Sequence, residues 1–267
     1  MNWLEAFILG LVQGITEFLP VSSSGHLEIG QALLGVSGEH SLLFDITLHV
    51  ATVLSTLVVL RGQIGSILSD CFSTWRWNDG KAYAAKILVS MIPVFIVGVF
   101  FKDTVERFFG NGLLLVGVCL LVTALLLTFA QVARPRERED ISYLHAFIIG
   151  LSQAVAVLPG LSRSGTTIAT GLLLGNKREQ VARFSFIMVL IPVLGAALLD
   201  GVEVARHPEI IGGSVGWPAM AIGFVTAFVS GCLACRFMLE VVRRQKLTWF
   251  ALYCALVGVF SILWSCL

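Results

Sequence analysis

Glu17-Phe-Leu-Pro-Val-Ser-Ser-Ser-Gly-His26 interrupts an apolar region that runs from Trp3 to Leu19 and resumes from Leu27 to Leu34. Five side chains in this stretch, Glu17, Ser22, Ser23, Ser24 and His26, are costly to place in lipid without partners. Pro20 and Gly25 break helical continuity and free backbone amides to bind something else. A carboxylate, a run of hydroxyls and an imidazole around a broken helix read as a site within a membrane.

The stretch has an echo at a fixed offset. Ala6-Phe-Ile-Leu-Gly-Leu-Val-Gln13 aligns with Ala146-Phe-Ile-Ile-Gly-Leu-Ser-Gln153, and Ser22-Ser-Ser-Gly25 with Ser162-Arg-Ser-Gly165. From Ala6 to Gly35, 12 of 30 positions are identical to those 140 residues later. Phe44 and Phe184 keep the offset, as do Val53-Leu54 and Val193-Leu194, while Pro20 and Pro159 are out of step by one. This is the signature of an internal duplication.

Composition sets the class. The 267 residues are 57% hydrophobic and 13% charged, against about 25% charged in a soluble domain. The fold class is an all-α polytopic membrane protein. The net charge of +1 says nothing about partners, though its distribution does, and no nucleic acid is expected as a partner. The six cysteines lie mostly in apolar runs and read as small buried hydrophobes. The N-terminus has neither a basic segment nor a small-residue cleavage site, so no removable signal peptide is expected.

A span needs about 20 apolar residues. Residues 3–19 and 27–34 fall short of that and read together as a re-entrant helical hairpin, as do 141–158 and 165–174. Six spans are expected at Leu42–Leu60, Ile87–Phe101, Gly112–Ala133, Phe184–Val204, Trp217–Leu239 and Leu247–Cys266. Between the first two lies a polar connection with an amphipathic piece, Ile64–Phe72. The whole chain, 1–267, forms one integral membrane domain, with repeat one at about 1–133, a charged loop at 134–140 and repeat two at about 141–267. Three spans separate the hairpins, and an odd number puts them on opposite faces. That makes an inverted-topology repeat, with a binding site expected near the midplane. Fourteen Lys and Arg residues fall on one side and three, Lys102, Arg107 and Arg206, on the other. The first side is therefore cytoplasmic, and the first hairpin enters from outside.

Arg163 belongs to neither side. An Arg at the centre of a span costs about 2.5–3.5 kcal/mol and needs an anion. It has two readings. One is an ion pair with a buried carboxylate such as Glu17, which locks the halves together. The other is a phosphate clamp, since the guanidinium fork matches phosphate oxygens. Ser162, Ser164, Thr166 and Thr167 add hydroxyls around it, and the helix after Gly165 aims free amides at the same spot. Ser22, Ser24 and Gly25 offer the same device in the first hairpin, although serines also serve as ordinary helix caps. Ser23 is the repeat mate of Arg163 and should face it. Glu17, Ser23 and His26 supply an orienting group, a nucleophile and a base, in geometry the spacing leaves open. Asp45 and His49 read as supporting residues or as a helix-start pair.

Gln13-Gly-Ile-Thr-Glu17, Pro20-Val-Ser-Ser-Ser-Gly-His26 and Pro159-Gly-Leu-Ser-Arg-Ser-Gly165 resemble the undecaprenyl-diphosphate phosphatase family, also called the bacitracin-resistance protein family. The resemblance covers the full length. It implies a hydrolase of the bacterial inner membrane that removes the terminal phosphate of the C55 isoprenyl diphosphate and so recycles the carrier lipid for wall polymers. Bacitracin resistance follows, because the drug sequesters the diphosphate. The family's functional residues fall on Glu17, Ser23, His26 and Arg163. Its acidic motif starts with Glu or Gln, here Gln13, which counts against a two-carboxylate metal site. The implied divalent cation, Mg²⁺ or Ca²⁺, is expected to arrive with the diphosphate. On this reading Ser23 attacks, with His26 or Glu17 handling the proton, and water activated by Glu17 is the competing nucleophile. The expected partners are the polyprenyl diphosphate and the bilayer, with a homodimer left open. The competing class is a transporter or flippase of a lipid phosphate, since inverted repeats with broken helices also build carriers.

Overall fold

The computed structural model describes residues 1–36, 42–73, 75–101, 112–132, 138, 140–206, 215–244 and 247–265. Eleven helices are described. They are α1 Trp3–Phe18, α2 Ser23–Leu34, α3 Leu42–Val59, α4 Arg61–Ser73, α5 Asp79–Phe100, α6 Gly112–Val132, α7 Tyr143–Val155, α8 Arg163–Leu173, α9 Arg178–Arg206, α10 Trp217–Arg243 and α11 Thr248–Ser265. Apart from one isolated bridge between Arg138 and Asn176, the described residues contain no strand.

Among the described residues five helices are long and apolar enough to cross a bilayer, α5, α6, α9, α10 and α11, and the bent pair α3–α4 makes a sixth when read as one span. The bend between α3 and α4 is 76°. It falls where an apolar run meets Arg61, at the end of the expected span, and α4 carries no buried residue. Two helices start earlier than hydropathy alone suggests. α5 begins at Asp79 rather than Ile87, because Asn78 caps it by accepting from the Lys81 amide at 2.9 Å. α9 begins at Arg178 rather than Phe184. Its first turn is polar and so invisible to a hydropathy reading. The expected loop at Lys102–Asn111, and the expected charged loop at 134–140 apart from Arg138 and Asp140, lie outside the described residues.

The two short helix pairs are hairpins. Gly30 lies against Leu9, so α2 folds back along α1. In the second pair His145 Nδ1 donates to Asn176 Oδ1 at 3.0 Å, which returns the end of α8 to the start of α7. Asn2 and Glu5 form a reciprocal capping box at the start of α1, and Ser142 caps α7. Each hairpin ends on a left-handed glycine, Gly35 at φ 67° and Gly175 at φ 83°, 140 residues apart.

Small residues set the packing. Gly10 and Gly14 are one turn apart on α1 and meet Gly223, Ala227 and Gly231 of α10. A Cβ on Gly14 would sit 2.5 Å from the Ala227 carbonyl oxygen, so only glycine permits this approach. Gly150 on α7, the repeat mate of Gly10, touches the Ser90 carbonyl of α5 in the same manner. Each hairpin is thus clasped by a helix from the other half of the chain. Gly117 of α6 and Gly258 of α11 face one another, and α3 and α9 pack together on the opposite side. Phe44 and Phe184, which keep the repeat offset, are both fully buried.

Candidate active site

The hairpin tips meet. A Cβ on Gly25 would lie 3.0 Å from the Gly160 Cα, and one on Gly165 would lie 3.2 Å from the Pro20 side chain. Ser164 Oγ crosses from the second tip to donate to the Leu19 carbonyl of the first at 3.1 Å. The N-termini of α2 and α8 therefore converge, and their unpaired amides and positive dipole ends favour an anion between them.

Ser22 and Ser162 are the caps of these helices. Ser22 Oγ accepts from the Gly25 amide at 3.3 Å and Ser162 Oγ from the Gly165 amide at 3.0 Å. Of Ser22 and Ser24, the two serines that could serve as ordinary caps in the first hairpin, Ser22 is the cap and Ser24 lies within α2. Ser24 and Ser164 lie 3.4 Å from their respective cap hydroxyls. The tips differ by one residue, and the turn is made differently in each. The second tip uses Gly160 at φ 85°, whereas the first puts a non-glycine residue, Ser22, at φ 69°. Ser22 thus holds a backbone conformation that L residues rarely adopt, next to the polar centre.

Glu17 is the hub of that centre. Gln13 Nε2 donates to Glu17 Oε2 at 3.1 Å, and Ser23 Oγ donates to the same oxygen. Arg163 NH2 donates to Glu17 Oε1 at 3.1 Å. The Glu17 side chain is 9% exposed and that of Arg163 is 26% exposed. The carboxylate is enclosed, while the guanidinium keeps an open flank. Gln13 is fully buried and its Oε1 has no hydrogen-bond partner. A narrow cleft adjoins the cluster, with Glu17, Arg163 and Ser164 at one end and Val53, Phe186, Leu190 and Val193 among its apolar walls. It lies between α3 and α9.

His26 is placed apart from these residues. Its Nδ1 is 2.8 Å from the Ser22 carbonyl oxygen and its Nε2 is 2.8 Å from the Tyr253 hydroxyl of α11. The two rings stack, with centroids 5.5 Å apart and planes at 14°. Neither ring nitrogen bonds Ser23, so the hydroxyl's partner is Glu17. Of the remaining candidates, Thr167 Oγ1 bonds back to the Arg163 carbonyl at 2.8 Å, and buried Thr166 Oγ1 has no partner. Asp45 and His49 do not join the cluster through hydrogen bonds. Gln31 Nε2 donates to both Asp45 oxygens, at 3.0 and 3.3 Å, and His49 Nδ1 is 2.8 Å from the Asp45 backbone oxygen.

The sequence reading missed three residues. Tyr253 supports His26, Gln31 supports Asp45, and Thr123 Oγ1 accepts from the Ser162 amide at 3.1 Å. Tyr253 and Thr123 sit on other helices, where the only signal was a polar side chain within an apolar segment, while Gln31 lies on α2 beyond the polar stretch.

Among the described residues no cluster of three or more His, Cys, Asp or Glu could hold an ion alone. The centre does offer hard oxygen donors: the Glu17 carboxylate and, beside it, the orphaned Gln13 Oε1. That set fits an ion which keeps most of its ligands from water and phosphate.

Residues 6–260 match the family model described as Bacitracin resistance protein BacA. The chain is 57% identical over 265 residues to an undecaprenyl-diphosphatase of Bacteroides fragilis, covering 99% of each chain. It is 56% identical over 262 residues to an undecaprenyl-diphosphatase of Parabacteroides distasonis, covering 98% of each. An undecaprenyl-diphosphatase of Carboxydothermus hydrogenoformans is 40% identical over 261 residues, covering 97% of this chain and 96% of that one. With the family model spanning nearly the full length and relatives this similar end to end, the chain belongs to the bacitracin resistance protein BacA family.

Proposed function

We propose that this chain hydrolyses undecaprenyl diphosphate to undecaprenyl phosphate and phosphate where its two hairpin tips meet. The enzyme is an undecaprenyl-diphosphatase, and its action recycles the carrier lipid of wall synthesis and resists bacitracin. The observation that carries the site assignment is Glu17, held between Ser23 on one oxygen and Arg163 on the other.

The chemistry follows from that arrangement. The terminal phosphate sits between the N-termini of α2 and α8, with Arg163 turned from Glu17 onto its oxygens. Glu17 takes the proton of Ser23 Oγ as that oxygen forms a bond to the terminal phosphorus. The bond from phosphorus to the bridging oxygen breaks, and undecaprenyl phosphate leaves. Glu17 gives up that proton to the departing undecaprenyl phosphate and is a carboxylate again. It then takes a proton from water, whose oxygen bonds the phosphorus as the bond from phosphorus to Ser23 Oγ breaks. The proton returns to Ser23 Oγ as phosphate leaves. Arg163 and the helix amides stabilise the charge spread over the phosphoryl oxygens. Glu17 Oε2 is the acceptor of the Ser23 hydroxyl, which favours Glu17 over His26 as the base. A divalent ion brought by the diphosphate would be held by Gln13 Oε1 and Glu17, and it supplies further neutralisation of phosphate charge.

The surrounding architecture suits a lipid substrate. The cleft between α3 and α9 starts at Glu17 and Arg163 and continues between valine, leucine and phenylalanine walls, which suits the first isoprene units. On the charge distribution, the hairpins are re-entrant, the repeat is inverted across the inner membrane and the site opens to the periplasmic side. The halves are unequal in chemistry: Glu17 and His26 have Val157 and Thr166 as repeat mates. A carrier needs two similar cradles, and this asymmetry supports catalysis instead.

The test is phosphate release from purified protein with C55 diphosphate in detergent. Turnover that disappears in Glu17→Gln, with folding retained, supports the reading. Wild-type-like turnover in that variant removes Glu17 from the reaction.

A further inference from the structure

His26 is the one polar residue of the first tip whose surroundings the reaction above leaves unexplained. Its Nδ1 faces the Ser22 carbonyl, which can only accept, so Nδ1 carries a proton. Nε2 faces a phenol, which can donate or accept by rotating its O–H. Stacking on the Tyr253 ring fixes the imidazole plane. The pairing comes from 227 residues away and joins α11 to the first turn of α2. It also follows the chemical asymmetry of the halves. The repeat mates of Glu17, Ser23 and His26 are Val157, Arg163 and Thr166, and Tyr253 touches the half-site that carries the carboxylate and the imidazole.

We propose that Tyr253 is a positioning residue for the phosphatase reaction. It holds His26 in one tautomer and one orientation beside Ser22, and keeps Nε2 partnered whether or not that nitrogen is protonated. Without the hydroxyl, Nε2 loses its partner and the ring is free to turn away from the tip. The inference rests on His26 taking part in turnover.

Three measurements test it. Tyr253→Phe keeps the stacking ring and removes the hydroxyl. We expect kcat to fall about tenfold to a hundredfold, the scale of a misplaced catalytic group, with KM within about twofold of wild type on the same reasoning, because positioning rather than binding is lost. In protein labelled with ¹⁵N-histidine, the His26 signals should show a protonated Nδ1 and an unprotonated Nε2. Only the Nε2 signal should move substantially in Tyr253→Phe. A purely packing role would leave that signal in place and lower thermal stability instead. If Tyr253→Phe fails to fold, a fluorinated tyrosine at position 253 retains the shape and changes the acidity of the phenol, and kcat should then change with that acidity. Wild-type kcat in Tyr253→Phe with an unmoved Nε2 signal overturns the proposal. Full activity in His26→Ala overturns its basis, and identifies the placing of His26 in the reaction as the error.

Discussion

Ser23 and Arg163 are repeat mates, 140 residues apart, and they bond opposite oxygens of a single carboxylate, Glu17. A duplicated position has thus been given two chemistries, a hydroxyl in one half and a guanidinium in the other, aimed at one point. A structural ion pair needs only Arg163 and Glu17. The addition of Ser23, Gln13 and two converging helix starts makes the group suited to phosphoryl transfer.

Arg163→Lys keeps the charge and loses the fork. Turnover should fall by about a hundredfold or more, and by about 10³ in Arg163→Ala, the scale on which a transition-state arginine acts. Both proteins should still insert and elute as wild type. Near-wild-type activity in Arg163→Ala would remove the phosphate clamp. A protein that fails to insert would instead assign Arg163 to holding the halves together.

Ser23→Ala separates the two nucleophiles. If the hydroxyl attacks, turnover is abolished and the wild-type enzyme passes through a phosphoserine. If water attacks, only a hydrogen bond to phosphate is lost, about 1.5–3 kcal/mol, or about tens to a hundredfold in rate. The serine route retains configuration at a chiral terminal phosphorus and direct attack inverts it. Retention is the expected outcome. Inversion with residual activity in Ser23→Ala moves the chemistry to water.

Gln13 bears an amide that neither takes nor gives a proton in the working range. Gln13→Glu should therefore leave turnover within about tenfold, about 1.4 kcal/mol, while shifting which of Mg²⁺ and Ca²⁺ serves better. A collapse in rate at every divalent ion would mean that the added charge repels the diphosphate, and that Gln13 contacts substrate.

Gly14 tests the fold alone. In Gly14→Ala the new methyl meets the Ala227 backbone oxygen at 2.5 Å and the Ser230 hydroxyl. The hydroxyl can rotate, but the carbonyl belongs to a helix and cannot. The cost should be about 1–3 kcal/mol, read as a lower melting temperature in detergent. An unchanged melting temperature would show that α1 and α10 separate easily.

Membrane orientation is tested in cells after removal of the native cysteines. On the proposed orientation, which puts the loop carrying Arg134, Arg136 and Arg138 on the cytoplasmic side, Glu137→Cys should resist a membrane-impermeant thiol reagent applied from outside. Labelling at that position reverses the orientation, and with it the side to which the site opens.

The residues by themselves determined the helical membrane class, the duplication and the identity of the polar centre. These are local or periodic properties. Apolar run length sets the spans, a fixed offset exposes the repeat, and an Arg within lipid demands an anion wherever the chain goes. Helix starts were legible only where they were apolar. The Asn78 cap and the polar first turn of α9 extend helices beyond the apolar run, because capping and backbone hydrogen bonding do not depend on hydropathy. Only the tertiary structure decided the partners. Glu17, Ser23 and His26 look equivalent as a triad along the chain, yet Ser23 bonds Glu17 while His26 stacks on Tyr253. That division depends on which distant helix lies beside each face of α2, and such neighbours are set by glycine contacts between helices more than 200 residues apart, such as Gly10 on Gly223. No local pattern near His26 encodes the phenol, because Tyr253 lies 227 residues away on α11.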